Sequence, residues 1–446
     1  MTPLRRLVLA AAVGVLAGVG GIVITLVLHT TQHLLFGYDI GTFLLGIESA
    51  PAWRRVAGAA IGGLIVGLGW AWLRRGGRPT TVTEAINQGA GMPAIRTGAD
   101  ALLQAVAVGG GASVGREGAP RQVGGAAGAG LADRLGVDAA DRRVLIAAGA
   151  GGGLAAVYNV PLAGFVFAAL ALAAGAGRRP VGSGRFRIVA RFGAAVPRLR
   201  PADWLTLAVA IALANVTAWT VLGAGRVYRF PDTSFDLPSV VALAGWAIVA
   251  GPLAGAAALG LDAVARRAMA SQPTGWIRLP VATTAAMGLI GLAAVWWPTL
   301  PGNGKGIIEL TLEADTGMHG GVLLSGADLS GLSAAGALLL LVPLKIVLTG
   351  ACLRAGIVGG LLTPALSVGA ALGAAAAIGA QTLGAPVSVA QWTMVGAAAV
   401  LSVSHRSVVF AVLMAWELTW MPWEVALAAV VAGALARGSV RAIGLG

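Results

Sequence analysis

The sequence has very little charge for its length. Only 11% of its 446 residues are Asp, Glu, Lys or Arg, whereas 57% are hydrophobic, and the mean hydropathy is +0.84. Soluble domains carry roughly 25% charged residues, so this composition excludes an ordinary soluble protein. Apolar segments with so few charges are typical of a chain that crosses a membrane several times.

The sequence also has few residues that could form a disulfide or bind a metal. Cys352 is the single cysteine, which excludes a disulfide within the chain and a cysteine-rich metal site. Among the four histidines, only His29 and His33 have a helical spacing of four. We interpret this pair as the interfacial end of a first membrane helix rather than as a metal site, and we predict no cofactor.

Acidic residues are scarcer than basic ones, 18 against 31, which gives a net charge of +13. Most arginines lie near the ends of apolar segments, a pattern that predicts positive-inside topology rather than nucleic-acid binding. Two arginines precede the first apolar run, Leu7–Leu28, so the N-terminus is predicted to be cytoplasmic. An arginine-rich break, Gly175–Arg200, is predicted to be a cytoplasmic connector between a first half of about 1–200 and a second of about 201–446, with no soluble regulatory domain.

After a second span, Val56–Leu73, the hydropathy becomes irregular. Three apolar pieces, Ala101–Val114, Val144–Val157 and Leu162–Ala174, are short and broken by glycine or proline, whereas an ordinary span needs about 20 apolar residues. Such pieces are tolerated at membrane depth where they line a cavity, and they predict a binding site built from discontinuous helices. We interpret Gly149–Gly153 as a surface for close helix packing, because no strand precedes it as a nucleotide loop would require.

The second half contains eight further apolar segments and one polar loop, Pro301–Ser330. The segments are Trp204–Leu222, Val240–Val264, Val281–Trp297, Leu338–Leu353, Gly356–Ile378, Thr393–Val403, Ser407–Trp416 and Val425–Leu435. Three stretches of the first half have counterparts here, which indicates a weak internal repeat of the kind found in transporters. The paired stretches are Gly89–Pro93 with Gly302–Gly306, Gly115–Pro120 with Gly356–Pro364, and Tyr158–Gly164 with Ser404–Phe410.

The stretch Gly115–Pro120 reads GREGAP and places Arg116 beside Glu117 in a chain that elsewhere avoids charge. The flanking glycines and the Gly/Ala-rich segment Gly124–Leu131 indicate a helix N-terminus whose backbone N–H groups can approach an anion closely. The helix dipole there favours either a bound ion or the carboxylate of Glu117. From these residues alone, a glycine-rich turn with both charges in water is an open alternative.

With these motifs the chain resembles the CLC family of chloride channels and proton–chloride antiporters. The family signatures GSGIP, GREGP and GxFxP correspond in order to GAGMP at Gly89–Pro93, GREGAP at Gly115–Pro120 and GLLTP at Gly360–Pro364. The resemblance covers about Val56–Ala436. It implies an all-α polytopic membrane protein with two inverted-topology halves of tilted, partly broken helices, which forms a homodimer in the lipid bilayer.

The resemblance assigns Glu117 as the gating glutamate, whose carboxylate competes with the permeating anion until protonation removes its charge. It assigns anion binding to the backbone amides of Arg116, Gly118, Leu361 and Leu362 and to the backbone around Ala90 and Gly91. Lys345 and Glu417 are candidate supporting residues. Lys345 either snorkels or lends positive potential to an inner vestibule, and Glu417 is either a transport residue or a structural acid.

The chain departs from the family pattern at three places. Ala90 stands where the first signature usually has a serine, and no tyrosine lies near the C-terminus, since the chain has only Tyr38, Tyr158 and Tyr228. The segment Phe165–Leu172 has alanine or leucine where antiporters of the family carry an inner glutamate. These departures predict weaker central binding, poorer discrimination among halides and doubtful proton coupling.

We therefore predict a non-enzymatic protein that passes small anions, chiefly chloride, across the plasma (inner) membrane. A passive conductance gated by Glu117 is favoured over tight proton exchange. A fluoride–proton or chloride–proton antiporter of the same family is the main alternative, although Met92 falls at the isoleucine position of the first signature rather than at the serine position. A permease for another solute is a more distant alternative.

Overall fold

A computed structural model describes residues 1–175, 199–233, 235–316 and 330–444. Within these residues the regular backbone structure consists of seventeen α-helices, two short 3₁₀-helices and one isolated bridge, which confirms the predicted all-α class. The predicted connector Gly175–Arg200 lies almost wholly outside the described residues. Its cytoplasmic location and the division into two halves therefore stay predictions.

The α-helices vary from short pieces of two turns to helices of more than thirty residues. In chain order they are α1 (Pro3–Phe36), α2 (Phe43–Ser49), α3 (Ala52–Leu73), α4 (Val82–Gln88), α5 (Ala94–Gly109), α6 (Gly118–Arg134), α7 (Ala139–Tyr158), α8 (Pro161–Gly175), α9 (Pro201–Leu222), α10 (Leu237–Met269), α11 (Arg278–Trp296), α12 (Lys305–Glu313), α13 (Gly331–Arg354), α14 (Leu362–Thr382), α15 (Val389–Ser404), α16 (Val408–Thr419) and α17 (Trp423–Ala442).

Eight of the described helices are long and apolar enough to cross a membrane: α1, α3, α9, α10, α11, α13, α14 and α17. Three more, α8, α15 and α16, are apolar but shorter. Because each long helix can satisfy its own backbone groups in lipid, this composition agrees with a multi-pass membrane protein. Of the three predicted short segments, Leu162–Ala174 is confirmed as the short helix α8, whereas Val144–Val157 lies within the 20-residue α7 and Ala101–Val114 runs past the end of α5.

The described chain forms two compact units, and the first comprises 1–28, 72–105 and 117–227. Within it, α6 and α7 pack backbone against backbone. A Cβ atom on Gly149 would collide with the carbonyl of Gly124, and one on Gly124 would collide with the carbonyl of Gly149. Small residues allow membrane helices this close approach, so the prediction of a packing surface in α7 is confirmed.

A charge network around two buried aspartates joins the starts of three helices in the first unit. Arg6 of α1 bonds Asp141 of α7 and lies 3.1 Å from Asp203 of α9. Arg200, which caps α9, reaches Asp141 at 2.7 Å and Asp203 at 2.8 Å. Both acids lie in the first turn of their helices, where the helix dipole favours negative charge. The network therefore fixes α1, α7 and α9 to start at the same end of the unit.

The second unit comprises 29–71, 106–116 and 228–446. Its helices α14 and α15 also meet through glycine, since a Cβ on Gly369 would collide with the carbonyl of Gly396 and one on Gly373 with the carbonyl of Trp392. Trp246 of α10 stacks on Trp392 with ring centroids 4.9 Å apart and donates to its carbonyl at 3.0 Å. Each unit thus contains a helix pair held at close range by glycine.

Two boundaries differ from the sequence expectation. The predicted polar loop Pro301–Ser330 contains helix α12, because Ile307, Ile308, Leu310 and Leu312 form a buried face although the flanking residues are polar. Residues 317–329 of that loop lie outside the described residues. The predicted helical segment Gly356–Ile378 begins as a helix only at Leu362, because Gly356 has a φ of +92° and the residues up to 361 are not helical.

We expect Gly149→Ala to lower the thermal unfolding temperature in detergent by several degrees, because the new Cβ would force α6 and α7 apart. The matched control is Gly130→Ala in α6, where a Cβ would meet only the end of the Arg134 side chain at 3.5 Å. Alanine favours a helix interior over glycine by about 1 kcal/mol, so the control should be neutral or stabilising. Equal loss in both variants would contradict the packing argument.

Candidate functional site

Two of the three glycine motifs are joined by backbone hydrogen bonds within the second unit. The N–H of Gly115 donates to the carbonyl of Gly360 at 2.7 Å, and the N–H of Gly360 donates back at 3.0 Å, which makes an antiparallel bridge. In the chain, α6 follows soon after Gly115 and α14 soon after Gly360. The bridge therefore fixes extended backbone just before two helix N-termini, whose first N–H groups have no intrahelical partner.

Buried side chains support this extended segment. A Cβ on Gly359 would collide with the side chain of Val114, so glycine is required for the two backbones to approach. The N–H of Ser113 donates to Cys352 Sγ at 3.3 Å, and the Ser113 hydroxyl lies 3.3 Å from Thr349 Oγ1. Cys352 and Thr349 belong to α13. The single cysteine therefore has a structural role in holding the segment before GREGAP.

The start of α14 carries two of the predicted anion-binding residues. Leu361 occupies the N-cap without a side-chain hydrogen bond, and Leu362 is fully buried. The next residue, Thr363, is also fully buried, and its Oγ1 has no hydrogen-bond partner among the described residues. Thr363 was not predicted from the sequence, because a hydroxyl ligand was expected only in the first motif and near the C-terminus. The threonine between Leu362 and Pro364 in the third motif was the sequence feature that could have indicated such a hydroxyl group.

The predicted gating acid lies in the first unit. Glu117 occupies the N-cap of α6, its side chain is fully buried, and it makes no capping hydrogen bond. Its backbone carbonyl accepts a hydrogen bond from Arg121 Nε at 2.8 Å. The Arg121 guanidinium lies 5.1 Å from the ring centroid of Phe167 in α8. The carboxyl group at the helix start and an arginine one turn further along are therefore both enclosed by protein, and Gly118 begins the helix between them.

Helix α4 leads the chain into the first motif. Thr81 and Glu84 form a capping box, in which the Thr81 N–H donates to the Glu84 carboxylate at 2.7 Å and the Glu84 N–H donates to Thr81 Oγ1 at 3.2 Å. Hydrogen bonds from the Thr81 backbone and hydroxyl hold the pKa of Glu84 below its ordinary value. Because α4 has only seven residues, this cap contributes much of its local order.

The first motif forms the turn between α4 and α5. Gly89 ends α4 with a φ of +70°, a conformation that favours glycine. Ala90 is half-buried, and its carbonyl accepts a hydrogen bond from Arg142 at 3.4 Å, while Arg142 also pairs with Asp133 at 2.6 Å. Gly91 is exposed, with open space where a Cβ would lie. Both predicted residues therefore lie in a turn of the first unit with no hydroxyl side chain of their own.

Lys345 lies in α13 of the second unit and is fully buried. Its ammonium donates to the carbonyls of Leu300 at 3.1 Å and Gly302 at 2.7 Å. The N–H of Gly302 in turn donates to the carbonyl of Gly111 at 2.8 Å. Lys345 therefore connects α13 through the loop before α12 to the segment that leads into GREGAP. Its charge is held inside the protein by backbone carbonyls.

Glu417, the second candidate supporting residue, lies in α16 and is buried. The carbonyl of the following residue, Leu418, accepts a hydrogen bond from the N–H of Tyr228 at 3.0 Å. This end of α16 therefore anchors the segment that leads into α10. Glu417 belongs to none of the three motifs, and its part in transport stays a prediction.

The predicted site residues divide between the two units. Ala90, Gly91, Glu117 and Gly118 belong to the first, whereas Arg116, Leu361, Leu362, Lys345 and Glu417 belong to the second. Within the second unit, the antiparallel bridge fixes the backbone of Gly115 and Gly360, the residues directly before Arg116 and Leu361. In the first unit, Glu117 and Gly118 are consecutive at the start of α6.

A family model described as voltage gated chloride channel matches residues 57–441, a range that contains all three motifs. The chain belongs to this family, the CLC family. A putative chloride channel protein ClcB-like from Ralstonia nicotianae is 30% identical over 433 residues, which cover 93% of this chain and 88% of that protein. Membership in the CLC family supports transport of anions across a membrane rather than catalysis of a reaction.

Two solved structures share the CLC fold of this chain. A slow cyanobacterial Cl⁻/H⁺ antiporter has a TM-score of 0.73 and 21% identity, with 99% of this chain and 95% of that chain covered. A CLC-type fluoride/proton antiporter has a TM-score of 0.67 and 17% identity, with 97% and 94% covered. At these identities the likeness shows the fold alone. The predicted fold class is confirmed, as a multi-pass all-α membrane protein of the CLC type.

We expect Lys345→Met to destabilise the CLC protein strongly, because the carbonyls of Leu300 and Gly302 would lose a charged donor inside the protein. Leaving a buried acceptor without its donor costs about 1–3 kcal/mol. Thermal unfolding in detergent should show this loss, and Lys305→Met serves as the control, since Lys305 is half-buried and pairs with Glu309 at 3.2 Å. A Lys345 variant as stable as the control would contradict the anchoring role.

Proposed function

We propose that this CLC protein transports small inorganic anions, chiefly chloride, along a path gated by Glu117, and that the transport is passive rather than tightly coupled to protons. The observation that carries the proposal is the buried carboxyl group at the N-cap of α6, directly after the backbone pair of Gly115 with Gly360. We propose further that the protein is a homodimer in the plasma (inner) membrane with a cytoplasmic N-terminus.

In this proposal the anion is held by backbone N–H groups at helix starts. The amides belong to Arg116, Gly118, Leu361 and Leu362, and the backbone around Ala90 and Gly91 contributes at the first motif. A helix N-terminus favours a halide and a carboxylate for the same reason, so the ionised Glu117 competes with the transported anion. Protonation removes the negative charge of Glu117 and releases the amides. Lys345 supports the site by fixing backbone, and a transport role for Glu417 remains secondary.

Passive transport is favoured by the absence of acid in the segment that follows Leu162 in α8. Phe165–Leu172 carries only apolar side chains, where the family resemblance leads us to expect the inner glutamate of antiporters. A proton-coupled antiporter for chloride or fluoride is the second candidate, because the two solved structures compared above are described as antiporters. With Ala90 in the first motif, selectivity among halides should be weak in either case.

The proposal is tested with purified protein in liposomes, by recording chloride and fluoride efflux with electrodes together with external pH. Wild-type protein should release chloride faster than fluoride without stoichiometric proton movement, and acid should increase the flux. Glu117→Gln removes the negative charge at all pH values, so its flux should be high and independent of pH. Glu84→Gln, which changes an exposed acid of the first unit, is the control and should behave like wild type.

Each departure from this pattern has a definite meaning. Fluoride efflux that carries protons, with little chloride movement, would replace the proposal by the fluoride–proton antiporter. Chloride efflux with stoichiometric proton movement would replace it by the chloride–proton antiporter. Small-ion flux that Glu117→Gln leaves unchanged would remove Glu117 from the gate.

A further inference from the structure

Three buried polar side chains connect α5 to α6 inside the first unit, and none of them belongs to a family motif. Gln104 Nε2 donates to Asp100 Oδ2 at 2.9 Å and to Gln122 Oε1 at 2.6 Å. Asp100 is 2% exposed, Gln104 1% and Gln122 9%. Polar groups so deeply buried in a membrane protein are rare and expensive, and they mark functional positions.

The two acceptors fix the orientation of the Gln104 amide. An ionised carboxylate only accepts hydrogen bonds, so the NH₂ group of Gln104 must face Asp100 and its carbonyl must face away. The Gln104 carbonyl lies against the first residue of α6, where a Cβ on Gly118 would collide with it. Among the described residues this buried Oε1 atom has no hydrogen-bond partner. By orienting the amide, Asp100 makes Gln104 present its carbonyl to Gly118, the residue that follows Glu117.

An acceptor in this place distinguishes the two protonation states of the neighbouring acid. A buried carbonyl without a donor is unfavourable, so a group that can donate to it is stabilised. The oxygen dipole repels a carboxylate or a halide, whereas a neutral carboxylic acid can donate its O–H. Glu117 is the acid at this helix start, and its carboxyl group gains the ability to donate only when it takes up a proton.

We propose that Gln104 receives the hydrogen bond of the protonated Glu117 and that Asp100 is the positioning residue that orients the Gln104 amide. This inference rests on the proposed gating by Glu117. The same oxygen disfavours the ionised carboxylate, so the pair shifts the gate toward its open, protonated form. Gln122 occupies the second amide hydrogen of Gln104 and completes the arrangement.

Other charged groups interact with Asp100 and Glu117 from neighbouring elements. Arg74 interacts electrostatically with Asp100 and with Arg78, which places a cation beside the orienting carboxylate. Arg121 interacts with Glu117 and with Tyr158 of α7. Among the described residues, a pH titration therefore has to consider Arg74, Arg78, Asp100, Arg121 and Tyr158 together with Glu117.

The test is Gln104→Met, which keeps the length of the side chain and removes the acceptor. Anion efflux from liposomes is recorded between about pH 4 and pH 8, a range in which a carboxyl group can change its protonation state. Loss of one hydrogen bond to the protonated gate should move the pH of half-maximal flux lower by about one unit, with the same maximal flux in acid. Asp100→Asn, which releases the amide orientation, should move it in the same direction.

Asn215→Leu is the matched control, because Asn215 of α9 is also a buried amide of the first unit with an unpartnered carbonyl oxygen among the described residues. Its pH profile should match that of wild type. An unchanged midpoint in Gln104→Met would overturn the inference, and so would an equal shift in the control. Thermal unfolding of each variant in detergent identifies misfolded protein, and if Gln104→Met does not fold, Asp100→Asn decides the outcome by the same midpoint.

A double-mutant comparison separates the role of Gln104 from the role of Glu117 as the gate. In a Glu117→Gln background, Gln104→Met should have no effect on flux, because no proton remains to be taken up at the gate. A change of flux caused by Gln104→Met in that background would assign Gln104 a structural role and overturn the inference. If Glu117→Gln alone keeps the pH dependence of wild type, the proposed gate fails first, and the inference about Gln104 fails with it.

Discussion

The backbone pair between Gly115 and Gly360 is the interaction on which the candidate site depends. Extended backbone inside a helical membrane protein has N–H and C=O groups that water does not reach, so it persists only where another segment bonds to it. Two hydrogen bonds satisfy this requirement, and glycine at Gly359 allows the approach. The chain can therefore start α6 and α14 soon after non-helical backbone, and the first N–H groups of each helix have no partner within that helix.

Glycine supplies the rigidity behind these helix starts. In the first unit α6 packs on α7, and in the second α14 packs on α15, each pair with backbone carbonyls at the positions where Cβ atoms would lie. Lipid offers little hydrophobic driving force for helix association, so close packing of small residues is the main source of order. A site made of backbone amides needs such order, because amides that can turn away do not hold an ion.

The features that could be predicted from the sequence were those encoded locally. Hydropathy identified the spans, and the glycines around Arg116 and Glu117 identified the start of α6. The prediction of a loop at α12 was wrong because the buried face of this helix is short and the residues around it are polar. Only tertiary packing makes this segment a helix. The contact of Gln104 with Gly118 joins residues on different helices, and no periodicity in either helix reveals such a pairing. The same holds for the carbonyl partners of Lys345.

The charges that the chain does bury are mostly committed to backbone or to one another, and this bears on how an anion could pass. Lys345 is held by the carbonyls of Leu300 and Gly302, and Arg121 donates to the carbonyl of Glu117. A full positive charge in a dry site would bind a halide tightly and slow its release, whereas conduction requires binding that is weak enough to leave. Partial charges on helix N–H groups are about half an elementary charge at each N-terminus. Buried cations that order the backbone, rather than bind the ion, therefore suit a path in which a single carboxylate can compete with chloride and then give way.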